Sequence, residues 1–230
     1  MEDQIQGPWG QFDIRTINPK QDIPSILTFL TENFHRDEPM GRHCPYDEAF
    51  IKDINSKIAF LLEASSHICL VATNIETGAI AGVQLQFILS KEQARKIALN
   101  AGEQSPFFQR RVMNAIYEPL NQARANLFER FGVEELVWNF VASTSKEHRG
   151  QGLASELFRR MLNLLRKEKL FLVFSIYSSQ FSRRCATKLG FVEIARSRFA
   201  DALDPISGLP YLPKAVDCED FASLMTLQIK

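Results

Sequence analysis

Ser143-Thr144-Ser145-Lys146-Glu147-His148-Arg149-Gly150-Gln151-Gly152-Leu153-Ala154 is the stretch of this 230-residue chain whose surroundings decide the fold. Glu135 to Ala142, just before it, is a nearly continuous apolar run (Leu136, Val137, Trp138, Phe140, Val141, Ala142), the pattern of a central strand buried on both faces. After it, Leu153, Leu157, Met161 and Leu165 recur every four residues, with Arg159, Asn163, Arg166 and Lys167 opposite, so an amphipathic helix is expected from Gly150 to Lys167. A strand that turns through glycine into a helix presents unpaired N–H groups and a partial positive charge, a natural seat for phosphate. Gly150 and Gly152 let backbone approach a ligand closely, and Arg149 adds a cation. The spacing by itself also suits an ordinary tight turn. It is neither a Walker loop, since no Gly-Lys-Ser/Thr follows, nor the three-glycine dinucleotide fingerprint.

Working outward, Phe171 to Ile176 reads as the next strand, Gln180 to Leu189 as a short helix closed by Gly190, and Phe191 to Ser197 and Phe221 to Ile229 as further strands. Upstream, Gln11 to Ile17 suggests an edge strand. Asp22 is placed to cap a helix striped by Ile26, Leu27, Leu30 and Phe34, which Asp37-Glu38-Pro39-Met40-Gly41 breaks. A helix over Asp47 to Glu63 and a hairpin of Ile68 to Ile75 with Ile80 to Leu89 follow. Residues 90–132 are helical in character, split near Ser105-Pro106 and disturbed at Pro119. They exceed what a link between adjacent strands needs, and read as an insertion that covers a ligand or forms a subunit surface. With no repeat or linker, the chain reads as one α+β domain over 1–230, with a β-α-β-α-β core at 135–197.

Apolar residues make up 45% and charged residues 23%, an ordinary globular composition. Lys plus Arg and Asp plus Glu both number 27, which argues against a nucleic-acid coat but not against a locally bound anion. Cys44, Cys69, Cys185 and Cys218 are scattered, which suits reduced thiols rather than a disulfide framework or zinc knuckle. His35, His43 and Cys44 match no zinc spacing, so no metal is expected. No apolar run is long enough to span a bilayer, and Met1 to Pro8 has neither a basic nor an apolar leader region. The expected location is cytoplasmic, with no membrane partner.

Arg149-x-x-Gly152-x-Ala154 resembles the acyl-CoA signature of the GCN5-related N-acetyltransferase superfamily, and Leu189-Gly190-Phe191 resembles its downstream Leu-Gly-Phe, in the same order and at the expected distance. Three further elements are similar to insect-type arylalkylamine (dopamine) N-acetyltransferases. They are Asp37-Glu38-Pro39-Met40, Ser178-Ser179-Gln180-Phe181-Ser182 and Phe199-Ala200-Asp201. The likeness runs from about Phe12 to the end of the chain. Met40 stands where the family has Leu, Lys146 where many members have Pro, and Arg183, Arg184 and Cys185 where smaller or more apolar residues are expected. The insertion matches no known element.

The resemblance implies a mixed sheet flanked by helices and acetyl-CoA as co-substrate. It implies direct attack by the primary amine of a dopamine-, octopamine-, tyramine- or serotonin-type acceptor in a ternary complex. Ala142, Ser143, Thr144, Arg149, Gly150, Gln151, Gly152, Leu153 and Ala154 would hold the acyl-CoA, with backbone N–H groups at Ala142 to Thr144 also meeting the oxyanion. Such amines titrate near ~10, so a base is required. Glu38, acting through a water, would be that base, its pKa raised by burial. Ser178 and Ser182, four apart, would assist the departing thiolate, although Ser at this place also suits helix capping. A polyamine or agmatine acceptor, a longer acyl-CoA, a protein acceptor and a non-catalytic acyl-CoA binder remain alternatives.

Overall fold

The computed structural model describes residues 4–101, 105–215 and 220–229, of which the side chains of 97–101 are not described. Cys218, part of the cysteine reading above, lies outside them. The strands are β1 (Gly7–Trp9), β2 (Phe12–Thr16), β3 (Leu70–Asn74), β4 (Ile80–Ser90), β5 (Glu135–Thr144), β6 (Leu172–Tyr177), β7 (Val192–Arg198) and β8 (Phe221–Gln228). The helices are α1 (Pro19–Leu30), α2 (Met40–His43), α3 (Glu48–Ala64), α4 (Lys91–Ala101), α5 (Phe108–Ala125), α6 (Leu127–Phe131), α7 (Leu153–Lys167) and α8 (Gln180–Lys188).

All eight strands join one sheet in the order β1-β2-β3-β4-β5-β6-β8-β7. Only β5 and β6 are parallel, and their ladder comprises just Val137↔Val173 and Trp138↔Phe174. From Asn139 to Thr144, β5 pairs with β4 alone, leaving an open edge toward the end of β6. β8 inserts between β6 and β7, so the expected β-α-β-α-β core is not contiguous in the sheet.

Two apolar layers enclose the sheet. One face packs α1, α3 and α5 through Ile26, Leu30, Ile58, Leu62, Val112, Ile116 and Leu120. The other packs the Leu153, Leu157, Met161 and Leu165 stripe of α7, all buried. The insertion forms three helices: α4, α5 and α6. Pro119, expected to disturb it, sits inside α5 on its exposed side, where a missing N–H does not interrupt the buried stripe that holds the helix. α1 begins at Pro19 with Asn18 as N-cap, three residues before the expected start. Asp22 is not its cap. It accepts the Asn18 N–H at 2.7 Å and forms a bidentate pair with Arg15 at 2.7 and 2.8 Å, because that cation outcompetes the helix N-terminus for it. α7 begins at Leu153 rather than Gly150, since Gly150 (φ 76°) and Gly152 (φ 86°) both adopt the left-handed conformation that ends the turn.

Candidate active site

The glycine turn is built as its sequence suggests. Gly152 is the N-cap of α7 and has no capping side chain. The backbone N–H groups of residues 150–154 find no acceptor among the described residues. Gly152 closes on the indole of Trp9: a Cβ there would lie 3.5 Å from the ring. Trp9 stacks on Phe12, whose ring meets His148 edge-on at 4.9 Å. The short strand β1 that carries Trp9 is pinned by the fully buried Arg160, which donates to the Gly7 carbonyl at 2.7 Å and the Pro8 carbonyl at 3.3 Å while pairing with Glu156 at 2.7 Å. β1 was not legible in the sequence, because three residues containing Gly and Pro carry no strand periodicity.

Arg149 occupies the turn, but its guanidinium is engaged within the protein. It donates to the Thr144 carbonyl at 3.1 Å, the Asn33 carbonyl at 3.3 Å and Asp37 Oδ2 at 2.7 Å. Lys146 reaches the other Asp37 oxygen at 3.6 Å. Burial works against the Asp37 charge, but the Arg149 hydrogen bond and the two cations outweigh it, and its pKa lies below the ordinary value. The Asp37-Glu38 loop and the glycine turn are thus tied directly together. This role of Asp37 is not legible in the sequence, because a pairing across 112 positions of chain leaves no local pattern.

Glu38 lies between the end of α1 and α2. α1 runs into a π-helical turn over Thr31–His35, a feature frequent at functional sites. The Ser178 hydroxyl and the Met40 N–H stand beside the Glu38 carboxylate and favour its charged form. Its Oε1 is buried without a partner among the described residues. Burial pushes its pKa up, and these two groups offset only part of that.

Ser178 and Ser182 are brought to the same helix start but differ in engagement. Ser179 caps α8, accepting the Phe181 N–H at 3.2 Å, which leaves Ser178 free for Glu38. Ser182 donates to the Ser179 carbonyl at 2.9 Å. Behind the open β5 edge, Ser175 donates to the Asn139 carbonyl at 2.7 Å, while the Asn139 amide bridges Gln86 and Tyr177. Ala142, Ser143 and Thr144 lie along that edge, and alternate backbone groups of a strand point to each side.

Trp138, Phe140, Phe87 and Phe174, from β5, β4 and β6, form one contiguous aromatic cluster. Glu38 also acts electrostatically on Tyr46 and Tyr117, whose phenols burial and that charge hold well above the ordinary tyrosine value. Neither tyrosine was singled out in the sequence, since one lies in an irregular segment and the other on the helix of the insertion. His35 is bonded to Asn55 at 2.9 Å and His43 to Asp220 at 3.0 Å. No group of three metal-ligating side chains occurs among the described residues, and no described helix is long and apolar enough to cross a membrane.

No family model matches the chain. Solved structures do. Arylalkylamine N-acetyltransferase 2 from Aedes aegypti superposes with a TM-score of 0.75 at 21% identity, covering 96% of this chain and 100% of its own. A Drosophila melanogaster polyamine N-acetyltransferase described as forming N-acetylagmatine gives 0.76 at 18%, covering 94% and 99%. The C-terminal condensation domain of Ebony, in complex with β-alanyl-dopamine, gives 0.69 at 11%, covering 95% and 99%. The chain therefore has the fold of the GCN5-related N-acetyltransferases over at least 94% of its length.

Proposed function

We propose that the chain is one acyl-CoA-dependent N-acetyltransferase domain, passing the acetyl group of acetyl-CoA to the primary amine of a small arylalkylamine. The observation that carries this is the junction of Glu38 and Ser178 beside the open edge of β5, with the unsatisfied N-terminus of α7 at the end of that edge. In this scheme the N–H groups of residues 150–154 and the helix dipole receive the CoA pyrophosphate, and the acyl arm lies along Ala142, Ser143 and Thr144. Arg149 acts by holding the turn to Asp37 rather than as a free phosphate ligand.

Glu38, through a water, takes a proton from the ammonium. The freed lone pair attacks the thioester carbonyl: the C–N bond forms, the C–S bond breaks, and backbone N–H groups on the β5 edge stabilise the oxyanion. As the intermediate collapses the nitrogen gives its second proton to solvent water, and the departing thiolate takes its proton from Ser178, which recovers the one that Glu38 removed from the ammonium. Ser182 assists by turning its hydroxyl from the Ser179 carbonyl toward the sulfur.

The carboxylates around Glu38 favour an arylalkylamine over a polyamine. A second ammonium needs a second unpaired carboxylate, yet Asp37 is held by Arg149 and Lys146, Asp53 by Arg110 and Lys57, and Asp47 caps α3. An aromatic wall stands ready instead. A cytoplasmic location, where acetyl-CoA and free amines meet, belongs to the same proposal.

The test is a thiol-release assay with acetyl-CoA against arylalkylamines, polyamines and agmatine. Turnover of an arylalkylamine supports the proposal. Turnover of agmatine or a polyamine alone transfers the chemistry to that acceptor. No thiol release with any amine, while acetyl-CoA still raises the melting temperature, replaces it with a non-catalytic acyl-CoA binder.

A further inference from the structure

Arg183 stands where the family resemblance expects a smaller or more apolar residue, and the proposed reaction does not use its side chain. It is not a free surface cation. Its Nη1 donates to two main-chain carbonyls, that of Ser178 at 2.9 Å and that of Phe221 at 2.7 Å. The guanidinium also lies over the Phe221 ring, 3.7 Å from its centroid. Arg196 lies over the same ring at 4.0 Å and is itself paired with Glu193 at 3.0 Å.

This clamp sits where the β6–β8 ladder ends. β6 leaves the sheet at Tyr177, whose ladder partner is Ser223, and Phe221 begins β8. Ser178 is the first residue past the ladder, and no backbone N–H among the described residues donates to its carbonyl. Two carbonyls that meet at one point are both acceptors, so only a donor between them can join them. An arginine is costly in that place. Burial and the neighbouring Arg196 act against its charge, while Asp220 and Glu193 favour it. An apolar side chain would escape that cost but would leave the Ser178 carbonyl without its donor. The residue that follows is tied separately: Ser179 caps α8, and its carbonyl accepts the Ser182 hydroxyl at 2.9 Å and the Arg183 N–H at 3.0 Å.

We infer that Arg183 is a positioning residue: by clamping the Ser178 carbonyl to β8 it holds the Ser178 hydroxyl beside Glu38. Without the clamp the backbone at Ser178 is free to turn and its hydroxyl to face water. Glu38 then loses a neighbour that favours its charged form. Arg183 acts in this scheme only through Ser178. Tyr46 and Tyr117, the other titratable groups on which Glu38 bears, are held well above the ordinary tyrosine value and stay neutral where a carboxylate titrates. Asp37, held by Arg149 and Lys146, and the Glu193 and Asp220 charges near Arg183 are common to every variant below. The assignment rests on the acyl transfer proposed above only for the use made of Glu38 and Ser178, and the titration of Glu38 can be read without turnover.

The experiment follows the Glu38 carboxyl by ¹³C NMR across pH in wild type, Ser178→Ala, Arg183→Met and the double variant, with the signal assigned by its loss in Glu38→Gln. Arg183→Met should raise the Glu38 pKa by at least half of the rise that Ser178→Ala gives. The double variant should titrate no higher than Ser178→Ala alone, because both changes act through one hydroxyl. A cation acting on Glu38 directly would instead add its own step on top of the serine's. Arg183→Lys keeps the charge but not the planar fork stacked on Phe221, so it should move the titration in the same direction, and it carries the test if Arg183→Met does not fold. The inference is overturned if the arginine variant leaves the Glu38 titration in place, or if the two single shifts add in the double variant. If Glu38 titrates as expected but no amine ever releases thiol, the proposed reaction fails while the Arg183 assignment stands. If thiol is released and the titration does not move, the assignment fails while the reaction stands.

Discussion

Glu38→Gln should make the protein a much poorer catalyst and a slightly more stable fold. In the native state one carboxylate oxygen is left with no partner, while Ser178 and Met40 stand beside the group. The amide oxygen of glutamine can keep both neighbours, and its NH2 takes the unpaired place. What disappears is the charge, and with it the cost of a desolvated anion. The NH2 stays unpaired too, but a neutral group costs less to bury than an anion, so the net gain at neutral pH is about 1 kcal/mol, or about 2–4 °C in melting temperature for a chain of this size. Burial raises the Glu38 pKa above the ordinary 4.5. Over the window from 4.5 up to that raised value the native state keeps a proton that the unfolded chain has released, so wild-type stability falls as pH rises through it. The advantage of Glu38→Gln should therefore be absent near pH 4, where both side chains are neutral, and full above the window. Loss of a general base costs about 10²–10⁴-fold in rate, about 3–5.5 kcal/mol of barrier. It should also abolish the acidic limb of kcat/KM, which in wild type rises with pH as Glu38 ionises. Thiol-release kinetics and melts across pH check both sides. Activity retained within about tenfold of wild type, or a lower melting temperature at pH 7, would refute the reasoning.

Ser178→Ala removes the donor that holds the Glu38 pKa down, so the acidic limb of kcat/KM should move to higher pH, whereas Ser182→Ala should leave that limb in place. Gly152→Ala meets Trp9 only at ordinary contact distance but must hold φ at 86°. It should cost about 1–2 kcal/mol in urea unfolding and weaken acetyl-CoA binding measured by calorimetry. Arg160→Met strands the Gly7 and Pro8 carbonyls and leaves Glu156 to Arg159 alone, and should destabilise by about 1–3 kcal/mol. By releasing β1 and Trp9 it should raise the KM for acetyl-CoA in what still folds, and unchanged stability in chemical denaturation would sink that account.

Much of the architecture was legible because long elements carry their own period. The four-residue stripe of α7, the apolar run of β5, the β3–β4 hairpin and the span of α3 all stand within one or two residues of expectation, apart from the later start of α7. Glycine at 150 and 152 announced a turn that needs positive φ, and the turn has it. β1, the interior course of Pro119 and the insertion of β8 between β6 and β7 were not legible, since each depends on partners far away in the chain.

At the candidate site the division is sharper. Resemblance to family motifs singled out Glu38, Ser178 and Ser182, while the Arg149–Ala154 turn also left a local mark of its own in its glycines and in the strand and helix patterns that flank it. Only the tertiary structure joined Glu38 to Ser178, separated Ser178 from the capping Ser179, and spent Arg149 on Asp37. Only it also left Glu38 Oε1 and the Tyr46 hydroxyl buried and unpaired. Burial and pairing are properties of the surroundings a side chain finds after folding. No run of neighbouring letters encodes the desolvation that raises a carboxylate's pKa or the distance at which a cation neutralises its neighbour.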